Sequence, residues 1–360
     1  MNENLKSYSI DKIPYKRIYG RTSGKERLAL FWAASGIEIR VKASEVWALI
    51  ESDYDTYETW LSIKVNGFRL ARQSLVRGKQ WVRLVQGMGS EKENTILLQR
   101  DTQPMTGDAN NILTLHEIAL PKEAIFCPVE KKDLTIEFIG DSITSGEGLY
   151  GSPYEMDYTP QNFGGTKTYA VMASEKLNAH YSIVSQCGYG ISFGWNGDTA
   201  MTLPSHYDFV CSLMNSKRHE KIGSLTPFSF TPPSDIVVIN LGTNDNGGSK
   251  VTSYKGDVKE KIAGDTYNFL KKIRDKNPGA HIIWTWGMMA LDFAPALIQK
   301  GIDLYKSESK DPKVHTLIFD PMDLLEKTDE DKGSRGHPGV KTHKAAAEKL
   351  VSFIRSSFQS

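Results

Sequence analysis

Cysteine is scarce in this sequence: Cys127, Cys187 and Cys211 are the only three among 360 residues. An odd and widely spaced set excludes a disulfide scaffold, and without close pairs there is no zinc-site pattern. The three are read as free thiols. An excess of charge of one sign is also missing. Forty-four Lys plus Arg stand against 43 Asp plus Glu, a formal net charge of +1. No global field therefore draws the chain to nucleic acid or to an acidic membrane surface, and neither is expected as a partner. Nowhere do about 18 apolar residues run together, the length a membrane-spanning helix needs. The opening MNENLKSYSIDKIPYKR has no apolar centre of signal-peptide length, from which a cytoplasmic protein is expected.

What is present divides into two halves of different period. From about Thr22 to Leu120 apolar residues alternate with polar ones. Ile37, Ile39 and Val41 do so, as do Leu61, Ile63 and Val65 ahead of the Asn66-Gly67 turn, with further runs at Trp81 to Val85, Thr95 to Leu98 and Ile112 to Leu120. Short alternating strands separated by turns predict an all-β sandwich or jelly roll over residues 1–128. Over residues 129–360 strand-like runs are followed by helix-like ones. The strands are expected at Thr135 to Ile139, Ser182 to Gln186, Asp235 to Leu241, His281 to Trp286 and His315 to Phe319. Helices are expected at Thr168 to Leu177, Val258 to Lys276 and Val340 to Phe358. That alternation predicts a parallel sheet covered on both faces, a three-layer α/β/α sandwich, with the domain junction around Pro121 to Glu130.

In such sheets ligands bind beyond the carboxyl ends of the strands, and it is there that this sequence places its chemistry. The stretch IEFIGDSITSGEG, Ile136 to Gly148, ends a buried strand in glycine, acid and hydroxyls and presents Ser142. The second strand ends in Cys187-Gly188-Tyr189-Gly190, the third in Gly242-Thr243-Asn244-Asp245, and Gly336-His337-Pro338-Gly339 precedes the last helix. Singly, each is ordinary: a cap serine, turn glycines, an Asx turn, a loop histidine. Together they supply an acyl-transfer site. A serine hydroxyl needs a base, here His337. A tetrahedral intermediate needs fixed donors, for which the Ser142 amide, a glycine amide at Gly188 or Gly190, and the Asn244 side chain are available.

IGDSIT, the glycine of CGYG, GTND and GHP, in that order from about Thr135 to the C-terminus, resemble the SGNH or GDSL hydrolase superfamily. The resemblance implies a flavodoxin-like three-layer fold and serine esterase, lipase, thioesterase or carbohydrate deacetylase activity. It makes Ser142 the nucleophile and His337 the base, with Gly188, less directly Gly190, and Asn244 as oxyanion donors. A jelly-roll domain ahead of such a domain is similar to carbohydrate esterase family two. That similarity implies removal of acetyl groups from xylo-oligosaccharides or related plant-type carbohydrates, as in acetylxylan esterases of xylan degradation, with no metal or cofactor. The superfamily's Asp three residues before the histidine is here Ser334. The third member is therefore expected to be absent, leaving a Ser-His dyad with a backbone carbonyl holding the imidazole, or to be Asp331 or Asp329 at unusual spacing.

Tyr189 and Trp195 follow the second strand and Trp286 ends the fourth, and all three are expected to rim the cleft against a sugar. A lipase or acyl thioesterase is the rival enzyme, but the polar, aromatic segment Gly148 to Gly165 favours a small acyl group on a polar carrier. A carbohydrate-binding protein with an inactive hydrolase domain is the rival of another class. With no leader in view, short imported oligosaccharides are the expected substrate. Self-association as a homo-oligomer is compatible with this reading.

Overall fold

The computed structural model describes residues 4–251, 258–322 and 331–358. Contacts divide the chain into two compact units: residues 1–131 with 159–161 and 208–228, and residues 132–158 with 162–207 and 229–360.

The first unit holds two six-stranded antiparallel sheets. One runs Thr22–Ser23, Leu28–Leu30, Ile112–Pro121, Glu45–Asp53, Gly78–Gln86, with Leu5–Ser9 also paired to Ile112–Pro121. The other runs Ile125–Cys127, Gly36–Lys42, Glu93–Arg100, Trp60–Val65, Phe68–Ser74, with Lys16–Tyr19 on Gly36–Lys42. Both contribute to one core. Val46, Ala48, Ile50, Leu113 and Leu115 from the first sheet and Ile37, Ile39, Leu61, Ile63 and Leu98 from the second are buried in a single cluster. This is a β-sandwich, and its inward residues are the alternating ones, as side chains two apart share a face.

Asn66 and Gly67 both take positive φ, 50° and 83°, so the turn between Trp60–Val65 and Phe68–Ser74 matches the twist of a tight hairpin. Strand Ile125–Cys127 pairs with Gly36–Lys42 and so lies within the stretch the sequence marked as a junction. The excursion at 208–228 also packs in this unit. Trp32 Nε1 donates to the Val210 carbonyl at 2.6 Å, Arg21 Nη1 donates to Phe209 at 2.9 Å, and Arg218 is ion-paired with Glu51 and Asp53.

The second unit is built on a five-stranded parallel sheet ordered Ala179–Ser185, Leu134–Gly140, Ile236–Asn240, His281–Trp286, Val314–Ile318. In chain order that is 2-1-3-4-5, the flavodoxin-like arrangement. Every residue of Ile236–Asn240 is buried, as are Ile136 to Gly140, which is the mark of strands covered on both faces. Helices Tyr169–Lys176 and Val340–Phe358 pack as one pair, and Val258–Lys276 and Ala294–Ser309 as another. The fold is therefore the expected three-layer α/β/α domain preceded by an all-β sandwich. Among the described residues no helix is long and apolar enough to cross a membrane.

The sheet's switch point lies where the chain, having run outward from Leu134–Gly140 to Ala179–Ser185, returns to the other side as Ile236–Asn240. Three neighbouring strands thus end side by side, and each carries one of the sequence blocks described above.

Candidate active site

Ser142 opens a four-residue helix, Ser142–Ser145, immediately after the first parallel strand. Asp141 caps it, its carboxylate accepting from the Ile143 amide at 3.0 Å, and Gly146 closes it at φ 78°. The glycine before the acid is required: a Cβ at Gly140 would lie 2.0 Å from Thr144 Oγ1. Ser142 is 6% exposed. As the first residue of a helix its N–H has no partner inside that helix.

His337 arrives on a tightly folded loop. The Gly333 amide donates to the His337 carbonyl at 2.8 Å, the His337 amide to Ser334 at 3.1 Å, and the Ser334 amide to Gly148 at 3.1 Å. Gly148 makes that approach feasible, because a Cβ there would lie 2.6 Å from the Ser334 carbonyl and 3.1 Å from His337 Cβ. The outcome is a hydrogen bond of 2.8 Å between His337 Nε2 and Ser142 Oγ. Residues 195 positions apart are thereby joined as the chemistry requires.

Asn244 lies in the first turn of helix Thr243–Val251, and its Nδ2 donates to the Tyr189 carbonyl at 2.9 Å. That bond ties the third strand end to the loop after the second, where Gly188 sits at φ 78°. Gly190 does something else. Its amide donates to the Met201 carbonyl at 3.2 Å, which removes it from the expected donor set. Its lack of a side chain makes room for the Asp245 carboxylate, which receives the amides of Ile191, Ser192 and Phe193 at 2.7 to 3.1 Å.

The expected acid is not where the sequence reading sought it. Asp331 is buried, and its carbonyl accepts from Gly339 N and Thr342 Oγ1, both at 2.8 Å. His337 Nδ1, however, is buried with no hydrogen-bond partner among the described residues. Neither the Asp331 carboxylate nor a backbone carbonyl holds the ring by that nitrogen there, and Asp329 lies outside the described residues. The carboxylate that does reach His337 is Glu147, whose Oε2 is 3.5 Å from Nε2. It was not among the residues expected from the sequence, because Cys187, Arg335 and His337 are brought to it only by the fold.

The aromatics separate. Trp195 is 62% exposed, and its ring borders Gly188, where a Cβ would lie 2.7 Å from Trp195 Cδ1. Tyr189 packs edge-on to His206 at 5.9 Å. Trp286 ends the fourth strand, two strands from the one carrying Ser142, and among the described residues no hydrogen bond or ring contact links it to Ser142, His337 or Asn244. Its neighbour Trp284 is wholly buried.

Burial shapes the titrations around the site. It pushes the Asp141 carboxyl up to about 7, against the opposing bonds from Ile143 and Thr243. It raises Asp245 as well, offset by the amides that the carboxylate accepts. It pushes His343 down to about 3, so that Nδ1 stays free to accept the Tyr169 amide at 3.1 Å. Among the described residues no group of three or more His, Cys, Asp or Glu side chains is arranged to hold a metal.

Comparison with known proteins finds relatives of the same fold. The model of the GDSL-like lipase/acylhydrolase family matches residues 138–345, more than half the chain. An acetyl xylan esterase from the rumen bacterium Butyrivibrio proteoclasticus has a solved structure that is 33% identical, with a TM-score of 0.92 over 99% of each chain. A family two carbohydrate esterase from Clostridium thermocellum, solved with cellohexaose, is 24% identical with a TM-score of 0.80 over 96% of this chain and 99% of that one, a likeness of fold. The cellulase/esterase CelE of Acetivibrio thermocellus is 28% identical over 344 residues, which are 90% of this chain but 37% of that protein. This chain therefore spans well under half the length of that relative. From the site and these similarities, the chain belongs to the GDSL-like lipase/acylhydrolase family.

Proposed function

We propose that the protein is a serine esterase that removes O-acetyl groups from acetylated xylo-oligosaccharides or related plant-type carbohydrates. The observation that carries this reading is the 2.8 Å bond from Ser142 Oγ to His337 Nε2 at the sheet's switch point. The substrate class rests on the likeness over the full chain to an esterase named for acetyl xylan. On this reading residues 1–128 are the sandwich domain and 129–360 the hydrolase domain.

The chemistry follows from the parts. Ser142 Oγ bonds to the acetyl carbon while its proton passes to His337 Nε2, and the carbonyl electron pair moves to oxygen. The Ser142 and Gly188 amides and the second Nδ2 hydrogen of Asn244 are the donors for that oxyanion. The Asn244–Tyr189 bond holds two of them in fixed relation, which is what preorganised stabilisation requires. The proton on His337 then goes to the departing sugar oxygen as its bond to the acetyl carbon breaks. Water repeats the sequence and releases acetate. An exposed indole at Trp195 beside Gly188 provides a flat apolar face for a pyranose ring, which favours a carbohydrate over a lipid carrier.

The test is acetate release from acetylated xylo-, gluco- and manno-oligosaccharides, with the position of deacetylation followed in the product. Release from at least one of these at rates well above those for octanoyl esters is expected. A preference for the long acyl chain rejects the reading in favour of a lipase.

A further inference from the structure

Glu147 is the most heavily engaged carboxylate next to the Ser-His pair, and nothing in the mechanism above uses it. Its side chain is 5% exposed. Its backbone amide donates to the Ser142 carbonyl at 3.0 Å, which anchors it to the turn that presents the nucleophile. Oε1 accepts from Arg335 Nε at 2.7 Å, and Oε2 accepts the Cys187 thiol at 2.8 Å and lies 3.5 Å from His337 Nε2. The three partners come from two segments: Arg335 and His337 from one loop, and Cys187 from the end of the second strand.

Two further observations bear on its role. His337 Nδ1, the nitrogen a third triad member would hold, has no partner among the described residues. Arg335 is itself fixed. It sits at φ 56°, its amide donates to the Glu155 carbonyl at 2.9 Å, its Nη1 donates to Met156 at 3.0 Å, and its guanidinium lies 5.4 Å from the Tyr158 ring centre. The guanidinium therefore holds the Glu147 carboxylate by Oε1, the oxygen other than the one facing His337.

We propose that Glu147 is a positioning carboxylate of this site, acting on the Nε2 side of His337. When His337 takes the Ser142 proton it becomes an imidazolium, and a buried carboxylate beside Nε2 favours that charged form. The proton that Glu147 faces travels from Ser142 Oγ to Nε2 and on to the leaving oxygen, so no proton comes to rest on the carboxylate. The Cys187 thiol donates to one of its oxygens and Arg335 Nε to the other, which aims it. The inference rests on the esterase reading above and deepens it.

The charged and titratable groups that bear on the pair set the sign of the test. Around Glu147 these are Arg335, Cys187 and His337; around His337 they are Glu147 and the buried, neutral His343. General-base catalysis needs neutral His337, so the acid limb of kcat/KM against pH reports its protonation. Removing the Glu147 charge disfavours the imidazolium, and removing the Arg335 charge favours it.

The experiment measures kcat/KM against pH for p-nitrophenyl acetate in the wild type, Glu147→Gln, Arg335→Gln and Ser142→Ala, each checked for folding by its melting curve. Glu147→Gln is expected to lose roughly tenfold to a hundredfold and to move the acid limb to lower pH. Arg335→Gln is expected to move it to higher pH. A Glu147→Gln enzyme that loses rate with an unmoved limb, or that keeps its rate, overturns the proposal and leaves the carboxylate a packing group. If Glu147→Gln does not fold, the direction of the Arg335→Gln limb decides, and an unmoved or downward limb rejects it. An active Ser142→Ala enzyme overturns the esterase reading itself, whatever the other two variants do.

Discussion

Gly190 and Asp245 fit each other so closely that a Cβ on the glycine would lie 2.5 Å from the carboxylate oxygen Oδ2, with the Phe193 carbonyl 2.1 Å away on another side. Contacts of that length force the backbone to move, and the backbone in question also carries Gly188. Gly190→Ala should therefore lower stability and esterase rate together, at the about 1 to 3 kcal/mol typical of overpacking. Asp245→Asn should have a similar cost through lost acceptors for the Ile191, Ser192 and Phe193 amides. Thermal melts paired with kcat/KM measure both. A Gly190→Ala protein with unchanged melting and rate would show that the loop has room the geometry denies.

Ser142→Ala removes a nucleophile from a turn whose shape is set by its neighbours, the Asp141 cap and Gly146. The melting curve should stay as it is while acetate release falls by at least about a thousandfold, because groups that act as a unit fail together. Retained turnover rejects Ser142 as the nucleophile.

What the sequence made legible was whatever depended on period and on order. Val258–Lys276 and Val340–Phe358 are helices over the very residues expected, because both carry an unbroken apolar stripe. Glu45–Asp53 was missed for a reason visible in its side chains. Val46, Ala48, Ile50 and Ser52 face inward, but Trp47 and Leu49 on the other face are also apolar, which hides the alternation. Phe68–Ser74 was missed because an edge strand leaves Phe68 and Leu70 in solvent and reads as irregular. At the site, the strand-end blocks pointed to Ser142, Asn244 and His337, and the structure joins Ser142 to His337. Which glycine amide is free was not legible, since Gly190 is occupied by Met201, a residue 11 positions later. Glu147 was not legible either, because its three side-chain partners come together only through tertiary folding.

Trp195 borders Gly188 yet keeps 62% of its surface exposed. If it stacks on the sugar, Trp195→Ala should raise KM for acetylated oligosaccharides by roughly tenfold, the scale of one lost aromatic contact. The same variant should keep kcat/KM for p-nitrophenyl acetate within about threefold. Equal losses on both substrates would show that the ring supports the Gly188 loop and does not bind the carrier.

Asp141 gives a pH signature of stability. Its folded pKa, about 7, lies above the ordinary value of 3.8 because the group is buried. A raised carboxyl contributes stability that is fully present below about 3.8 and is lost as pH rises to about 7. Asp141→Asn cannot ionise, and its side-chain oxygen can still accept from Ile143. Relative to the wild type, the variant should therefore gain stability between pH 5 and pH 8, by up to a few kcal/mol. Melts of both proteins at the two pH values check this. An advantage for the variant that is the same at pH 5 and pH 8 would mean that Asp141 does not titrate in that window.

Asp331 is the remaining acid that spacing had offered as a third triad member, and the geometry speaks against it. In a triad the acid holds the second ring nitrogen, and converting it to an amide lowers turnover about ten thousandfold because the histidine takes the wrong tautomer. Here His337 Nδ1 has no partner among the described residues, and the Asp331 backbone carbonyl accepts from Gly339 and Thr342. Asp331→Asn leaves that carbonyl in place, so turnover should stay within about tenfold of wild type. His337→Ala should abolish it, since no other imidazole is hydrogen-bonded to Ser142 among the described residues. A loss above about a thousandfold in Asp331→Asn, with an unchanged melting curve, would restore Asp331 as the triad acid and require the His337 loop to close differently when substrate is bound.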